Sequence, residues 1–178
     1  MMVAIAPPYE ALAVANRFLA LARRDKLGLD HLKLQKLLYC AHGWYLVFTG
    51  KPLLQEHAEA WPYGPVIPSV YHEFKRFGSL PIMVSAMRAV PNPLGGAQLA
   101  CYELQADEYT DRVIESVWQT YKGYSSLQLS TLTHQPDMAW DKVNKRNDGR
   151  TGTDIPDLEI WSEFKRRLDD AGTAASAA

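Results

Sequence analysis

One stretch of the chain, Leu32–Phe77, reads LKLQKLLYCAHGWYLVFTGKPLLQEHAEAWPYGPVIPSVYHEFKRF. In its first part, apolar residues recur at steps of three and four, which places them on one broad helix face; they are Leu34, Leu37, Leu38, Ala41, Tyr45 and Phe48. A second stripe follows another side of the same helix and comprises Gln35, Tyr39, His42 and Leu46. Because a helix that is apolar on more than one side is usually surrounded by protein, residues 31–49 predict a central helix.

Glycines and prolines divide the rest of the chain into shorter elements. Pro91, Pro93, Gly95 and Gly96 lie between two extended segments, which predicts a β-hairpin with arms Ile82–Val90 and Ala97–Leu104. A short strand is predicted at Glu56–Trp61. The remaining segments predict helices at Pro8–Asp25, from Pro65 or Pro68 to Gly78, and at Asp107–Lys122, Leu127–Thr133, Met138–Arg146 and Ile155–Leu168.

These elements predict a mainly α-helical fold with a small β element, built as a single-domain helical bundle around the central helix. The domain is predicted to span residues 1–170. In the last helix, the residues expected to face the core are Leu158, Trp161, Phe164 and Leu168. The final segment, residues 171–178, consists of small residues without a pattern, and we predict that it is disordered.

Composition limits the classes of function. The chain has 178 residues, a formal net charge of -1 and 47% hydrophobic residues, so it can bury a core. A dedicated nucleic-acid-binding protein usually has an excess of Lys and Arg, which is absent here. The N-terminal residues lack a basic region and a long apolar segment, and no apolar run approaches the roughly 20 residues that span a bilayer. We therefore expect a soluble, cytoplasmic protein.

The cysteines and histidines do not form a metal-binding or cofactor-binding pattern. Cys40 and Cys101 are far apart in apolar surroundings, which predicts free thiols in a reducing compartment. No CxxC motif occurs, and no two histidines are four residues apart on a helix; the histidines are His31, His42, His57, His72 and His134.

Three segments together resemble a known family. They are KLQKLLYCAHGWYL at Lys33–Leu46, GKPL with EAWPYGPVIPSVYHEF within Gly50–Phe74, and LSTLTHQPDMAW at Leu129–Trp140. In this order and spacing they resemble the Panacea domain family of bacterial and phage antitoxins, which includes SocA-like and GepA-like proteins. The Trp-Pro-Tyr-Gly-Pro-Val and Thr-His…Trp pieces are its most specific parts.

The resemblance implies a non-enzymatic protein-binding domain that neutralises a cognate toxin encoded beside it. It also implies that one type of domain serves toxins of unrelated kinds, so the shared motifs do not identify the toxin. SocA-like members imply a variant mechanism, in which the antitoxin acts as a proteolytic adaptor and delivers its toxin to an ATP-dependent protease such as ClpXP. The expected partners are thus the toxin and, in this variant, the protease.

Aromatic residues on the proline-rich segment are the best candidates for toxin contact. Trp61 and Tyr63, together with Pro65, lie on a stiffened chain that loses little entropy on binding, and Trp and Tyr dominate interface hot spots. Tyr71 follows on the next helix. The alternative for Trp61 and Tyr71 is that their rings cover the central helix. Lys36 is either an exposed contact charge or a lysine whose stem follows the apolar surface.

A second group, Thr133, His134 and Trp140, is predicted to form a polar cluster beneath the last helix. We expect His134 to donate a hydrogen bond to a backbone carbonyl and to hold the short helix in place. This structural role is favoured over ligand contact.

Two other classes of function remain as alternatives. Cys40 and His42 point about 200° apart on a helix and cannot pair, but His134 can approach Cys40 in space, which would suit a Cys/His-dependent hydrolase. No nucleophile turn, phosphate-binding loop or paired carboxylates support catalysis. A DNA-binding autorepressor is the second alternative, and the near-neutral charge and the lack of length for an added DNA-binding domain disfavour it.

Overall fold

The computed structural model describes residues 6–176, and they form a mainly α-helical fold with two small sheets, as predicted. The helices are α1 (Ala11–Arg24), α2 (His31–Thr49), α3 (Pro68–Phe74), α4 (Glu108–Tyr121), α5 (Ser126–Thr133), α6 (Ala139–Arg146) and α7 (Asp157–Ser176). The strands are β1 (Ala58–Trp61), β2 (Gly64–Val66), β3 (Met87–Pro91), β4 (Ala97–Cys101) and β5 (Thr153–Ile155). Within this range no helix is both long enough and apolar enough to cross a membrane.

Helix α2 has well-defined ends and packs against five other helices. The Asp30 side chain accepts a hydrogen bond from the Lys33 N–H, and Gly50 ends the helix in the left-handed conformation, with φ 69°. The helix contacts α1, α3, α4, α5 and α7, and 13 of its 19 residues are buried. Phe48 was predicted to face the core, but it is half exposed: its ring stacks on Trp44 and lines an open groove between α2, α4 and α7.

The strands form two separate sheets. In the first, β1 lies in the middle and pairs antiparallel with β2 and β5. Strand β5 was not predicted, since Thr153 and Asp154 lie between two predicted helices and Ile155 was placed at the start of the last one. In the second, β3 and β4 form the predicted hairpin with shorter arms than expected.

Helix α7 packs through a different face from the one predicted. Phe164 is buried as expected, but Leu158 is 73% exposed, and Trp161 and Leu168 are also exposed. The buried face combines Ile160 and Phe164 with Glu163.

Polar contacts explain this orientation of α7. The buried Glu163 carboxylate accepts hydrogen bonds from the Tyr39 hydroxyl at 2.8 Å and the Ala139 N–H at 3.1 Å. It also pairs with Arg167 at 2.8 Å. Burying a carboxylate is tolerated only with such partners, and these partners turn the Glu163 side of the helix inward. The helix also continues to Ser176, so it extends into the segment predicted to be disordered.

Candidate functional site

The proline-rich segment forms a tight turn between β1 and β2, and we call residues Trp61–Ile67 the aromatic turn. Trp61 pairs with Gly64 across the two strands, so Pro62 and Tyr63 form the loop. Gly64 has φ 98°, a conformation that L side chains rarely adopt. The turn therefore requires glycine at this position.

Helices α5 and α6 hold the first half of the aromatic turn through its backbone. The Trp140 indole N–H donates to the Trp61 carbonyl oxygen at 2.9 Å, and the Ser130 hydroxyl donates to the Tyr63 carbonyl oxygen at 3.2 Å. The His134 ring packs against the Trp140 ring, with centroids 4.1 Å apart. These contacts hold the loop through its backbone and leave the Tyr63 side chain exposed.

The two nitrogens of His134 lie near two carbonyl oxygens. Nδ1 lies 2.6 Å from the Ser130 carbonyl oxygen, and because a carbonyl only accepts, Nδ1 carries the proton. Nε2 lies 3.4 Å from the Pro62 carbonyl oxygen. The donation to a backbone carbonyl follows the sequence prediction. Contact with the turn was not predicted. Thr133, the third member of the predicted cluster, is buried, and its hydroxyl also donates to the Ser130 carbonyl oxygen at 2.9 Å.

Helix α2 holds the second half of the turn. The Gln35 side chain accepts from the Ile67 N–H at 2.7 Å and donates to the Ile67 carbonyl oxygen at 3.2 Å, so it binds both backbone groups of one residue. The Lys36 amine donates to the Pro65 carbonyl oxygen at 3.0 Å. Hydrogen bonds to three helices thus hold four of the seven residues of the aromatic turn.

Lys36 is fully buried, with 0% of its surface exposed. Burial lowers the pKa of its amine to about 7, because the charged form loses its hydration. The amine packs directly on the turn: a Cβ atom at Gly64 would lie 2.7 Å from Lys36 Nζ and 2.8 Å from His134 Cε1. Both sequence predictions for Lys36, an exposed charge or a lysine at the surface, are wrong.

Three aromatic rings lie on the outer side of the aromatic turn, two from the turn itself and one from α3. Tyr63 is 75% exposed, and Trp61 and Tyr71 are half-buried with ring centroids 4.7 Å apart. The Trp61 indole N–H donates to Glu59 at 2.8 Å. Pro65, which was grouped with the contact residues, is instead buried in β2. The structure thus places Trp61, Tyr63 and Tyr71 together at the surface and Pro65 and Lys36 beneath them.

A cavity of about 330 Å³ opens beside these rings. It is lined by His31, Leu32, Gln35, Trp61, Pro62, Tyr63, Val66, Tyr71 and Thr151. His31 Nδ1 is buried and has no hydrogen-bond partner among residues 6–176, and burial lowers the pKa of this ring, which favours neutral imidazole. Apolar and aromatic side chains make up most of the lining, so the cavity suits a side chain with an apolar body.

A second, larger groove of about 580 Å³ lies on other elements. It runs between α2, α4 and α7 and is lined by Trp44, Phe48, Tyr109, Arg112, Val113, Ser116, Val117, Thr120 and Leu168. We call it the α4 groove. It shares no residue with the aromatic turn, and its lining side chains do not hold the backbone of a loop as those around the turn do.

The thiol of Cys40 does not have the environment of a nucleophile. Cys40 is buried, and burial raises its pKa to about 12, so the thiol stays protonated near neutral pH. A catalytic cysteine needs the opposite shift and access to substrate. The environment of Cys40 therefore disfavours a hydrolase that uses this thiol as its nucleophile.

Sequence reasoning missed Gln35 and Ser130 as supports of the turn. Gln35 was noticed as a member of an apolar stripe, and a polar amide at such a position is the signal of a buried hydrogen bond. Ser130 gave no signal, since serine is common in short helices.

Comparisons with known proteins agree with the motifs. Residues 34–141 match the family model described as antitoxin SocA-like, Panacea domain. The chain is 36% identical over 134 residues to the antitoxin SocA of Caulobacter vibrioides, which covers 75% of this chain and 70% of that protein. No solved structure matches. The matched residues include the aromatic turn and all the side chains that hold it, and the chain belongs to the SocA-like antitoxin family with a Panacea domain.

Proposed function

We propose that this protein is an antitoxin that binds and neutralises a cognate protein toxin through the aromatic turn. The observation that carries the proposal is the contrast between a fixed backbone and exposed rings. Hydrogen bonds from α2, α5 and α6 hold the turn, while Tyr63 remains 75% exposed beside Trp61 and Tyr71. A surface fixed before binding loses less entropy when it binds, and Tyr and Trp provide most of the energy at interfaces.

The cavity beside the rings indicates how the toxin is anchored. An apolar side chain of the toxin would enter the cavity beside Trp61 and Tyr71, because hot spots occur in well-packed, desolvated pockets. We therefore expect an aromatic anchor on the toxin.

Delivery of the toxin to an ATP-dependent protease such as ClpXP is a second candidate mechanism, supported by family membership. An adaptor needs a surface for the protease that stays free while the toxin is bound. The α4 groove is such a surface, because it shares no residue with the aromatic turn. Both mechanisms place the protein in the cytoplasm.

A growth experiment tests the proposal. The neighbouring open reading frame is expressed alone and together with this protein, and the level of its product is followed by immunoblot. Rescue of growth with the product still abundant indicates neutralisation by binding. Rescue with the product depleted, and its level restored when the protease is deleted, indicates delivery for proteolysis. A toxic product that this protein does not counteract at any expression level would contradict the antitoxin function.

A further inference from the structure

Lys36 is a buried donor with one hydrogen bond. Its Nζ donates to the Pro65 carbonyl oxygen at 3.0 Å, and among residues 6–176 no carboxylate lies within ion-pair distance of it. A protonated lysine has three N–H donors and a full charge, whereas the neutral amine needs much less from its surroundings. This site therefore suits the neutral amine better than the ammonium.

The titratable groups around Lys36 do not supply a compensating negative charge. On α2, Cys40 lies one turn further along, and burial keeps its thiol protonated. His31 lies on the first turn of α2, and the charge of Lys36 disfavours its protonation. His134, the residue that follows α5, lies close to Lys36 at Gly64. The aromatic turn contributes only the dipole of the Pro65 carbonyl.

The ion pair on α7 does not compensate Lys36 either. Glu163 and Arg167 act on the neighbouring Cys40 thiol with opposite signs, and they are bound to each other at 2.8 Å. The Glu163 carboxylate also accepts from Tyr39 and from the backbone of Ala139.

We propose that Lys36 is a positioning residue that makes the conformation of the aromatic turn depend on protonation. With a neutral amine, Lys36 holds Pro65 and closes the turn against α2. With an ammonium, the uncompensated charge favours an open turn in which water reaches Nζ. Opening takes up one proton on Nζ and moves the surface that carries Tyr63. The part that concerns toxin affinity rests on the proposed function, and the part that concerns the turn does not.

The direction of the pH dependence follows from linkage. In the closed turn the pKa of Lys36 is about 7, and in an open or unfolded chain it returns to about 10.4. Between these values the open form binds a proton that the closed form does not, so closing is favoured as pH rises. Below pH 7 Lys36 is protonated in both the closed and the open turn, so the opening equilibrium no longer changes with pH. One linked proton changes the opening equilibrium by at most about tenfold per pH unit.

Nuclear magnetic resonance of the wild-type protein tests the first step without any substitution. With lysine labelled at Cε and Nζ, one resonance is expected to titrate near pH 7. The Lys36→Met variant identifies that resonance by its absence. A Lys36 resonance that titrates near pH 10 in the folded protein would overturn the proposal.

Amide exchange at Ile67, whose N–H donates to Gln35, then reports opening of the turn. From pH 9 to pH 7, the opening constant of wild type relative to Lys36→Met is expected to rise several-fold, up to about fiftyfold, because half of the closed form is itself protonated at pH 7. Lys33→Met is the matched control, since Lys33 lies on the same helix and donates to the Lys122 carbonyl oxygen at 2.6 Å, away from the turn. Lys33→Met should show the same pH dependence of Ile67 exchange as wild type. Equal profiles for wild type and Lys36→Met would overturn the proposal.

Toxin affinity provides the last test. Wild type and Lys33→Met should bind the toxin several-fold more tightly at pH 9 than at pH 7, and Lys36→Met should lose this difference. If exchange at Ile67 depends on Lys36 but affinity does not, the link to binding is wrong. If wild type binds no toxin at any pH, the proposed function fails, while the exchange result still decides the role of Lys36.

Discussion

Gly64→Ala is the substitution that most directly perturbs the support of the aromatic turn. Gly64 has φ 98°, and an added Cβ would lie 2.7 Å from Lys36 Nζ and 2.8 Å from His134 Cε1. The positive φ costs an L residue about 1–2 kcal/mol. Displacing the lysine from the Pro65 carbonyl loses a hydrogen bond of about 1 kcal/mol. We therefore expect the free energy of unfolding to fall by about 2–3 kcal/mol.

Urea unfolding of this variant and of a matched control measures the effect. Gly50→Ala is the control, because Gly50 also has a positive φ of 69° but has no atom within 4 Å of an added Cβ. It should lose only the conformational part, about 1–2 kcal/mol. Toxin affinity should fall in Gly64→Ala and not in Gly50→Ala. Equal losses of stability and unchanged affinity in both variants would refute the packing of Lys36 and His134 on the turn.

Two further substitutions test the packing of α7 on the core. From helix propensity alone, Gly43→Ala would gain about 0.5–1 kcal/mol of stability. The new Cβ would, however, lie 2.2 Å from a ring carbon of Phe164, so we expect the free energy of unfolding to fall by about 1–3 kcal/mol. A higher melting temperature would contradict this close contact. Arg167→Ala leaves the Glu163 carboxylate buried without its cation and should cost about 3–5 kcal/mol in urea unfolding. The control is Arg166→Ala at the exposed neighbouring position, which should lower the free energy of unfolding by less than about 0.5 kcal/mol. Similar losses of stability in the two variants would show that the Glu163–Arg167 pair does not stabilise the packing of α7.

Much of the fold was predictable because long helices carry a strong periodic signal. The inward face of α4, with Val113, Val117 and Trp118, agrees with its apolar spacing. The three-residue strand β5 was not predictable, because its pairing with β1 depends on residues about 95 positions away. The prediction of the buried face of α7 failed for a related reason, because apolar residues lie on two sides of that helix. The contacts of Glu163 with distant residues select between them.

The exposed side chains of the candidate site could be predicted from the sequence, but the residues that hold the backbone of the aromatic turn could not. Aromatic residues near prolines indicated a surface, and the structure places Tyr63 there. The burial of Lys36 could not be predicted, because the one hydrogen-bond partner that it has among residues 6–176 is the backbone carbonyl of Pro65, 29 residues away. Hydrogen bonds from side chains to a distant backbone leave no pattern in the sequence.

Calorimetric titration of the toxin with wild type and Tyr63→Ala tests the central claim most directly. Tyr63→Ala should weaken binding by more than about 1 kcal/mol, at least about fivefold in Kd, with the melting temperature nearly unchanged. Tyr109→Ala, which removes a tyrosine from the α4 groove, should bind as wild type does. Unchanged affinity in Tyr63→Ala, together with a loss in Tyr109→Ala, would contradict the account and place the toxin on the α4 groove.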